Sequence, residues 1–280
     1  MWPSASSFPE DFRTDIPFED GRSTVVDLPS PLERDDRRRL RIVGSCNGLV
    51  CLGLPPETAQ SYRNLVHRPG YLYAPGFGYE SASDDYKLVL ATYYRESISV
   101  YMVMIATAYH WDGYFPESTF LNGAVHWRSR IGDDNTLTAF DLEKVTFFQV
   151  PIPRLPCSRM FFPYNGMGVL GGCLSLMIAN SENSHPFGLW VMKEHRVEAS
   201  WTKVLHLLNP DDYVPRGMHE IFYEPLCISG DNAFIFIGNT RELMKFSERG
   251  QILEKVSVCD DSNKCEGIAF VESIAFPNNP

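Results

Sequence analysis

The chain has 280 residues, a net charge of −10 at pH 7 and a hydrophobic content of 44%. This length suits one large β domain or two small ones, and the apolar content is ample for a packed core. The negative charge argues against general binding to nucleic acid or to anionic membranes. The longest apolar run is far below the roughly 18 residues that span a bilayer, so we expect neither nucleic acid nor a membrane among the partners.

The first forty residues differ from the rest of the chain. Residues 1–40 are polar, interrupted by prolines and without a sustained hydrophobic period, so we expect a flexible or loosely packed lead-in there. We expect one domain over residues 41–280, because the composition does not shift near the middle. Residues 34–41 form a charge run that could bind phosphate or direct nuclear import. Two aspartates dilute it and favour a solvated loop before a strand.

A short phrase recurs along the chain as a tight-turn pair followed by an apolar strand. The copies begin at Asn47-Gly48, Asn122-Gly123, Gly171-Gly172 and Gly230-Asp231. Glycine and asparagine tolerate a positive φ, so these pairs turn the chain at little steric cost. The last three copies start roughly 50–60 residues apart, a spacing that indicates a repeated sheet unit.

Further strands follow each of the last three turn pairs at similar offsets. The second strands are predicted at residues 137–142, 189–194 and 243–248, and the third at 147–152, 201–207 and 252–258. Each unit is therefore three or four antiparallel strands, which is typical of a β-propeller blade. An irregular β-sandwich with similar hairpins is the alternative, and the agreement of the offsets favours the propeller.

The two ends of the domain complete the prediction. We expect a reduced strand at residues 65–69, a strand entered by a polar turn at 83–90, and a hairpin partner for it at 99–105. A last strand at 268–274 would close the ring. Five units and this closure give five or six blades. Residues 211–224 are the region most suited to a turn of helix.

Seven cysteines are present, an odd number, and several lie in predicted strands, as Cys51 and Cys173 do. Buried free thiols in a reducing compartment explain them better than disulfides do, which predicts a cytoplasmic or nuclear location. Cys46 with Cys51, and Cys259 with Cys265, could each lie close in space, but a disulfide or metal role is disfavoured.

Sequence signals for catalysis are weak. Ser45 stands one place too early for a hydrolase nucleophile motif and leads into a strand. His126 lies on a predicted strand and is better explained as a satisfied core or rim residue than as a metal ligand. Some propellers hydrolyse sugars with paired carboxylates, and the candidates here would be Asp84, Asp85, Asp141 and Glu194. Their turn positions favour structural roles, so we assign no catalytic, cofactor-binding or metal-binding residue and expect no enzyme.

Tryptophans recur near strand ends, at Trp111, Trp127, Trp190 and Trp201. Packing between blades is the preferred explanation. Exposure of a subset as partner anchors is the alternative, and the sequence does not choose the residues that bind a partner.

Several phrases in order resemble the plant F-box-associated domain. The segment from Gly44 to Leu52 resembles its opening signature, Gly76 to Val89 its second, and Phe120 to Trp127 its third. Later signatures are similar to residues 170–176, 189–194 and 200–203. Within that family, these phrases are most similar to those of the F-box/kelch-repeat and S-locus F-box group.

This resemblance implies a kelch-like propeller that recognises proteins. In the family it follows an F-box of roughly forty residues, which docks on the Skp-type adaptor of a cullin–RING ubiquitin ligase. The propeller then selects the protein to be ubiquitinated. The target of this chain stays unknown.

The chain departs from the family pattern in two respects. Residues 1–39 lack the F-box pattern, so we expect binding to adaptor and cullin only where an F-box is supplied upstream. A decoy or truncated product that binds partners without recruiting a ligase is the alternative. The stretch before Gly76 is short and 97–109 is compressed, so the first two blades are expected to be incomplete.

Overall fold

The computed structural model describes residues 41–53, 72–94, 97–104, 118–127, 136–153, 164–178, 188–207, 223–238, 242–257 and 268. Within these ranges the chain forms five antiparallel sheets and one short 3-10 helix, Glu198–Ser200. No helix in the described ranges is both long and apolar enough to cross a bilayer.

The first two sheets are small in the described residues. The first has two strands, β1 (Arg41–Cys46) and β2 (Leu49–Gly53), and the second has three, β3 (Leu72–Glu80), β4 (Asp85–Tyr94) and β5 (Ser97–Met104). The other three sheets have four strands each. Their bounds are β6 (Ser118–Leu121), β7 (Ala124–Trp127), β8 (Thr136–Asp141) and β9 (Thr146–Pro151); β10 (Tyr164–Leu170), β11 (Cys173–Ile178), β12 (Gly188–Met192) and β13 (Trp201–His206); β14 (Tyr223–Ile228), β15 (Phe234–Gly238), β16 (Glu242–Phe246) and β17 (Ile252–Ser257).

Three of the predicted turn pairs are tight hairpin turns. Both residues of each pair have a positive φ, as in Asn122 (51°) and Gly123 (74°), which is the geometry of a two-residue type I′ turn. The fifth sheet differs, because its turn spans residues 229–233 and Asn232 holds the positive φ of 64°. The local prediction is therefore confirmed in three sheets and corrected in detail in the fifth.

The sequence prediction leaves open whether a further strand precedes each turn. The structure has such a strand in the last three sheets, where β6, β10 and β14 are the first strands of four-stranded units. Some boundaries also change: Tyr223 and Glu224 begin β14 rather than belonging to a helical turn, and β12 ends at Met192 before Glu194. The predicted strands at 65–69 and 268–274 lie outside the described residues, apart from Ile268.

The first strands of successive sheets lie side by side, β1 on β3, β3 on β6, β6 on β10 and β10 on β14. A Cβ atom built at Gly166 would overlap the backbone carbonyl of Tyr223, and one at Gly168 would overlap that of Pro225. The residue numbers of the contacting pairs rise together along the two strands, from Gly166 with Tyr223 to Gly168 with Pro225, so β10 and β14 run in the same direction. Sheets whose first strands line up in this way radiate as propeller blades, which confirms the predicted all-β, propeller-like fold.

Apolar cores fill the spaces between neighbouring sheets. One lies between the fourth and fifth sheets and contains Tyr223, Phe234 and Phe246. Another lies between the third and fourth and contains Leu137 and Leu176. Burial of this kind contributes roughly 25 cal/mol per Å² of apolar surface, so the interfaces between sheets hold the domain together.

Two tryptophans also link neighbouring sheets by hydrogen bonds. The indole N–H of Trp127 donates to the Pro75 carbonyl at 2.8 Å, and that of Trp201 donates to the Pro151 carbonyl at 2.8 Å. The packing role preferred for these two residues from the sequence is what the structure shows. The bond to Pro75 is buried, and leaving such a group without a partner would cost about 1–3 kcal/mol; the bond to Pro151 is partly buried.

The close approach of β10 to β14 predicts the effect of one methyl group. Gly166→Ala should lower the free energy of unfolding by about 3 kcal/mol or more, because overpacking here must displace backbone rather than a side chain. Gly44→Ala is the matched control, since its Cβ would meet the nearest atom, Phe77 Cβ, at 3.4 Å, an ordinary contact. Urea unfolding of both variants measures the difference. Equal stabilities of the two variants would contradict the proposed contact.

Candidate interaction surface

The sheet topology separates two ends of the molecule. Turns between first and second strands, and between third and fourth strands, lie at one end, which we call the hairpin end. Connections between second and third strands, and between sheets, lie at the other. Those connections fall mostly outside the described residues, so the surface that can be analysed is the hairpin end.

Three equivalent turns join third to fourth strands at the hairpin end, and each holds one residue at positive φ. These residues are Val145 (53°), Arg196 (69°) and Gly250 (76°). Gly250 packs so closely on the His206 carbonyl that a Cβ would overlap it. Valine is β-branched and strained in this conformation, yet Val145 is 53% exposed. Strain combined with an exposed apolar side chain marks this position as a candidate for partner contact.

The connection between β12 and β13, residues 193–200, is the longest of the three turns and is internally fixed. The Ser200 hydroxyl oxygen lies 2.9 Å from the Glu194 carbonyl oxygen and 2.7 Å from that of Val197. The Val197 N–H also donates to the Glu194 carbonyl at 3.1 Å. Val197 is 42% exposed, so this fixed segment presents an apolar side chain to solvent.

The same connection folds against the third sheet. The Arg196 guanidinium carbon lies 4.3 Å from the centroid of the Phe148 ring, a cation–π contact. The His195 ring meets the Phe148 ring edge-on, with centroids 6.2 Å apart. We call Phe148, His195, Arg196 and Val197 the turn patch. Aromatic side chains and arginine are enriched in protein interfaces, so its composition suits protein recognition.

A histidine pair anchors the turn patch to the core. His126 is fully buried, with Nδ1 3.2 Å from the Thr119 carbonyl and Nε2 2.9 Å from Nε2 of His195. A carbonyl can only accept, so Nδ1 of His126 carries the hydrogen and its Nε2 accepts from His195. Burial, with the nearby His195, lowers the pKa of His126 to about 4, and burial with the Arg196 charge lowers the pKa of His195. The neutral pair thus links the third and fourth sheets.

The four carboxylates considered for glycosidase chemistry lie in three different sheets, Asp84 and Glu194 in turns and Asp85 and Asp141 at strand ends beside turns. Asp84 accepts the Tyr79 hydroxyl, and Asp85 accepts the Tyr86 N–H at 2.8 Å. Asp141 accepts the Lys144 N–H at 2.9 Å and its ammonium at 3.0 Å. These three carboxylates act within their own hairpins, and Glu194 is exposed in the β12–β13 connection.

The cysteines in the described ranges are free thiols, and they include Cys46 and Cys51. Burial raises the pKa of each of these two thiols to about 11, so both stay protonated and weakly reactive near neutral pH. No group of three metal-ligating side chains occurs in the described part of the chain. Cys259 and Cys265 lie outside it, as does Trp111.

The sequence prediction did not single out Val145, Arg196 or Val197. A signal for Val145 emerges only when the turn of the third sheet is aligned with the equivalent turn of the fifth sheet. In the fifth sheet, Gly250 occupies the left-handed position that Val145 occupies in the third. The strand predicted at His126 is confirmed, but its partner His195 comes from the β12–β13 connection of another sheet.

Comparison with known proteins identifies a family that shares this architecture. A family described as the F-box associated beta propeller domain matches residues 57–275. The F-box/kelch-repeat protein At3g23880 of Arabidopsis thaliana is 26% identical over 206 residues, covering 62% of this chain and 54% of the relative. The F-box protein CPR1 of Arabidopsis thaliana is 27% identical over 309 aligned residues, covering 92% and 72%. The chain thus spans about half to three quarters of these two relatives.

The histidine pair predicts a pH dependence of stability. The pKa of His126 in the folded chain is about 4, below that of an unfolded histidine. The stability that the neutral His126 contributes is therefore fully present above about pH 6.5 and is lost as the pH falls toward 4. We expect the free energy of unfolding to drop by about 2 kcal/mol between pH 7 and pH 5 through His126. Urea titrations at both pH values measure this. In His126→Asn, whose amide can still bind the Thr119 carbonyl, the drop should shrink by that amount, and an unchanged drop would rule the assignment out.

Strain at Val145 predicts a stabilising substitution. Val145→Asn should raise the free energy of unfolding by about 1 kcal/mol, because asparagine tolerates the left-handed conformation. Val197→Asn is the matched control: Val197 is also exposed, but its φ is −100°, so the change should stay within about 0.5 kcal/mol. Thermal and urea unfolding test both. A Val145→Asn variant no more stable than Val197→Asn would show that the valine is not strained.

Proposed function

The chain belongs to the F-box associated beta propeller domain family, and from that membership we propose that it recognises target proteins for ubiquitination by a cullin–RING ligase. The observation that carries the proposal is the family match over residues 57–275, together with relatives that are named F-box proteins. Recognition needs shape and anchors rather than a reacting group, so we propose no catalytic activity for the domain itself.

The turn patch supports the proposal physically. Arg196 is held over Phe148, and Val197 is presented by a connection that hydrogen bonds fix in place. A rigid anchor loses little conformational entropy when a partner binds, which favours affinity. We therefore propose that the target contacts the hairpin end of the third and fourth sheets.

The remaining partners follow from the family plan and are part of the proposal. A Skp-type adaptor and a cullin would be reached through an F-box, and the encounter would take place in the cytoplasm, the nucleus or both. A decoy that binds the same target without ligase recruitment is the competing function. A sugar-cleaving propeller is the remote third possibility.

Capture of a target tests the recognition function and the surface together. Proximity labelling with the full chain in plant cells identifies candidates, and calorimetry with the purified proteins measures affinity. Val197→Asp should weaken a true target about tenfold or more, because a charge would be buried in an apolar contact. Leu253→Asp is the control, since Leu253 is 54% exposed on β17 of the fifth sheet. Equal loss in both variants would contradict the assignment of the surface.

Recruitment of the ligase is a separate measurement. Binding of a purified Skp-type adaptor by this 280-residue chain, followed by reconstituted ubiquitination of the captured target, would exclude the decoy. Target binding without adaptor binding or a change in target abundance would favour it. Sugar hydrolysis that is abolished by changing Asp84 and Asp85 would overturn both.

A further inference from the structure

The turn patch contains a residue whose backbone conformation is costly for its type. Arg196 has a φ of 69°, whereas the equivalent turn of the fifth sheet uses Gly250 for this conformation. Glycine adopts the left-handed conformation at little steric cost, but the Cβ atom of an arginine crowds the following carbonyl. Strained residues of this kind cluster at binding sites, where the surrounding structure holds them in place. The conformation therefore distinguishes Arg196 within the patch.

The Arg196 side chain is held in place without an ion pair. Its guanidinium carbon lies 4.3 Å from the centroid of the Phe148 ring, and its backbone N–H donates to the Met192 sulfur at 3.1 Å. Among the described residues, no carboxylate forms an ion pair with this guanidinium. Arg196 is also exposed. The patch therefore presents a positioned cation whose N–H donors are available to a partner.

The neighbouring elements do not neutralise this cation. Glu194 is exposed in the same connection but is not paired with Arg196, and Glu198 already has an interaction within the chain. On the facing sheet, β9 contains no charged residue. The Asp141 carboxylate before β9 is bound to Lys144 at 3.0 Å within its own turn. The counter-charge for Arg196 must therefore come from a partner.

We propose that Arg196 binds the carboxylate of an acidic residue in the target, and that an apolar neighbour of this residue packs against Val197. A guanidinium presents its donors in a planar fork that matches the two oxygens of a carboxylate. The Phe148 ring covers one side of the guanidinium, so less side-chain freedom is lost when the partner docks. Val197, 42% exposed, adds an apolar contact beside the charge. This inference rests on the proposed recognition function and names the chemistry of the target.

The net charge of the chain determines which acidic segment fits. A charge of −10 repels a strongly acidic segment at long range, so the contact acts mainly by slowing dissociation. An ion pair that stays in water contributes little, so apolar groups of the partner must cover it. We therefore expect one acidic residue beside apolar ones rather than a run of acidic residues.

Selection of peptides on the full chain tests the proposal. The probe is a phage-displayed library of short random peptides, selected on the wild-type chain and counter-selected on Arg196→Gln. The recovered peptides should carry aspartate or glutamate next to a large apolar residue. Changing that acid to its amide in a synthetic copy should weaken binding about tenfold. Recovered peptides without acidic residues, or equal affinity for the acid and amide forms, would overturn the proposal.

Three variants and a control separate charge pairing from folding. Arg196→Lys keeps the charge but loses the planar fork, so it should weaken the acidic peptide less than Arg196→Gln does. Arg196→Glu should release the acidic peptide and bind its lysine-substituted form better than the wild-type chain does, a gain that misfolding cannot produce. Arg249→Gln is the matched control, because Arg249 is exposed in the equivalent turn of the fifth sheet. Equal weakening by Arg196→Gln and Arg249→Gln would reject the role of Arg196.

Two further outcomes are distinguishable. A phosphoserine peptide that binds where its glutamate form does not would overturn the carboxylate as the ligand. If no acidic peptide is selected while Val197→Asp still disrupts target capture, the role of Arg196 is wrong and protein recognition stands. If acidic peptides bind through Arg196 but no target is captured, the site stands and the recognition function fails.

Discussion

The rest of the structure depends on how closely the first strands of neighbouring sheets approach one another. At Gly166 and Gly168 the backbone of β10 passes against the carbonyls of Tyr223 and Pro225, where a side chain has no room. At Gly76 a Cβ would lie 2.9 Å from the Trp127 ring. These glycines weaken their own strands. They also let the first strands converge, which brings the apolar faces of the outer strands into contact.

The turns were predictable because their chemistry is local. Asn122 and Gly123 tolerate positive φ wherever they stand, and the apolar strand after them needs no knowledge of its partners. The first strands were harder to predict for a physical reason. β3 reads Leu72-Tyr-Ala-Pro-Gly-Phe-Gly-Tyr-Glu80, and β10 contains two glycines. Residues that break a strand in isolation are those that the contact between sheets requires, so tertiary packing overrides propensity here.

The candidate surface was less predictable than the fold. The conformation of Val145 follows from the length of its turn, which composition does not reveal. The contact of Arg196 with Phe148 and that of His195 with His126 both join different sheets. Sequence reasoning placed His126 on a strand correctly, but it could not supply a partner 69 residues away. Pairings of this kind are set by the blade geometry.

The turn patch lies along the interface between the third and fourth sheets. The β12–β13 connection carries Arg196 and Val197 in the patch, and the histidine pair holds this connection against the core. A partner that touches Phe148 and Arg196 together binds across two sheets and favours the arrangement in which these sheets are packed together. By linkage, its binding stabilises the folded chain by a free energy that rises with the logarithm of the ratio of partner concentration to dissociation constant. Conversely, anything that loosens the interface, including protonation of the buried His126, lowers that affinity by the same coupling free energy. Recognition at the proposed surface and the stability of this domain would therefore depend on one shared set of contacts.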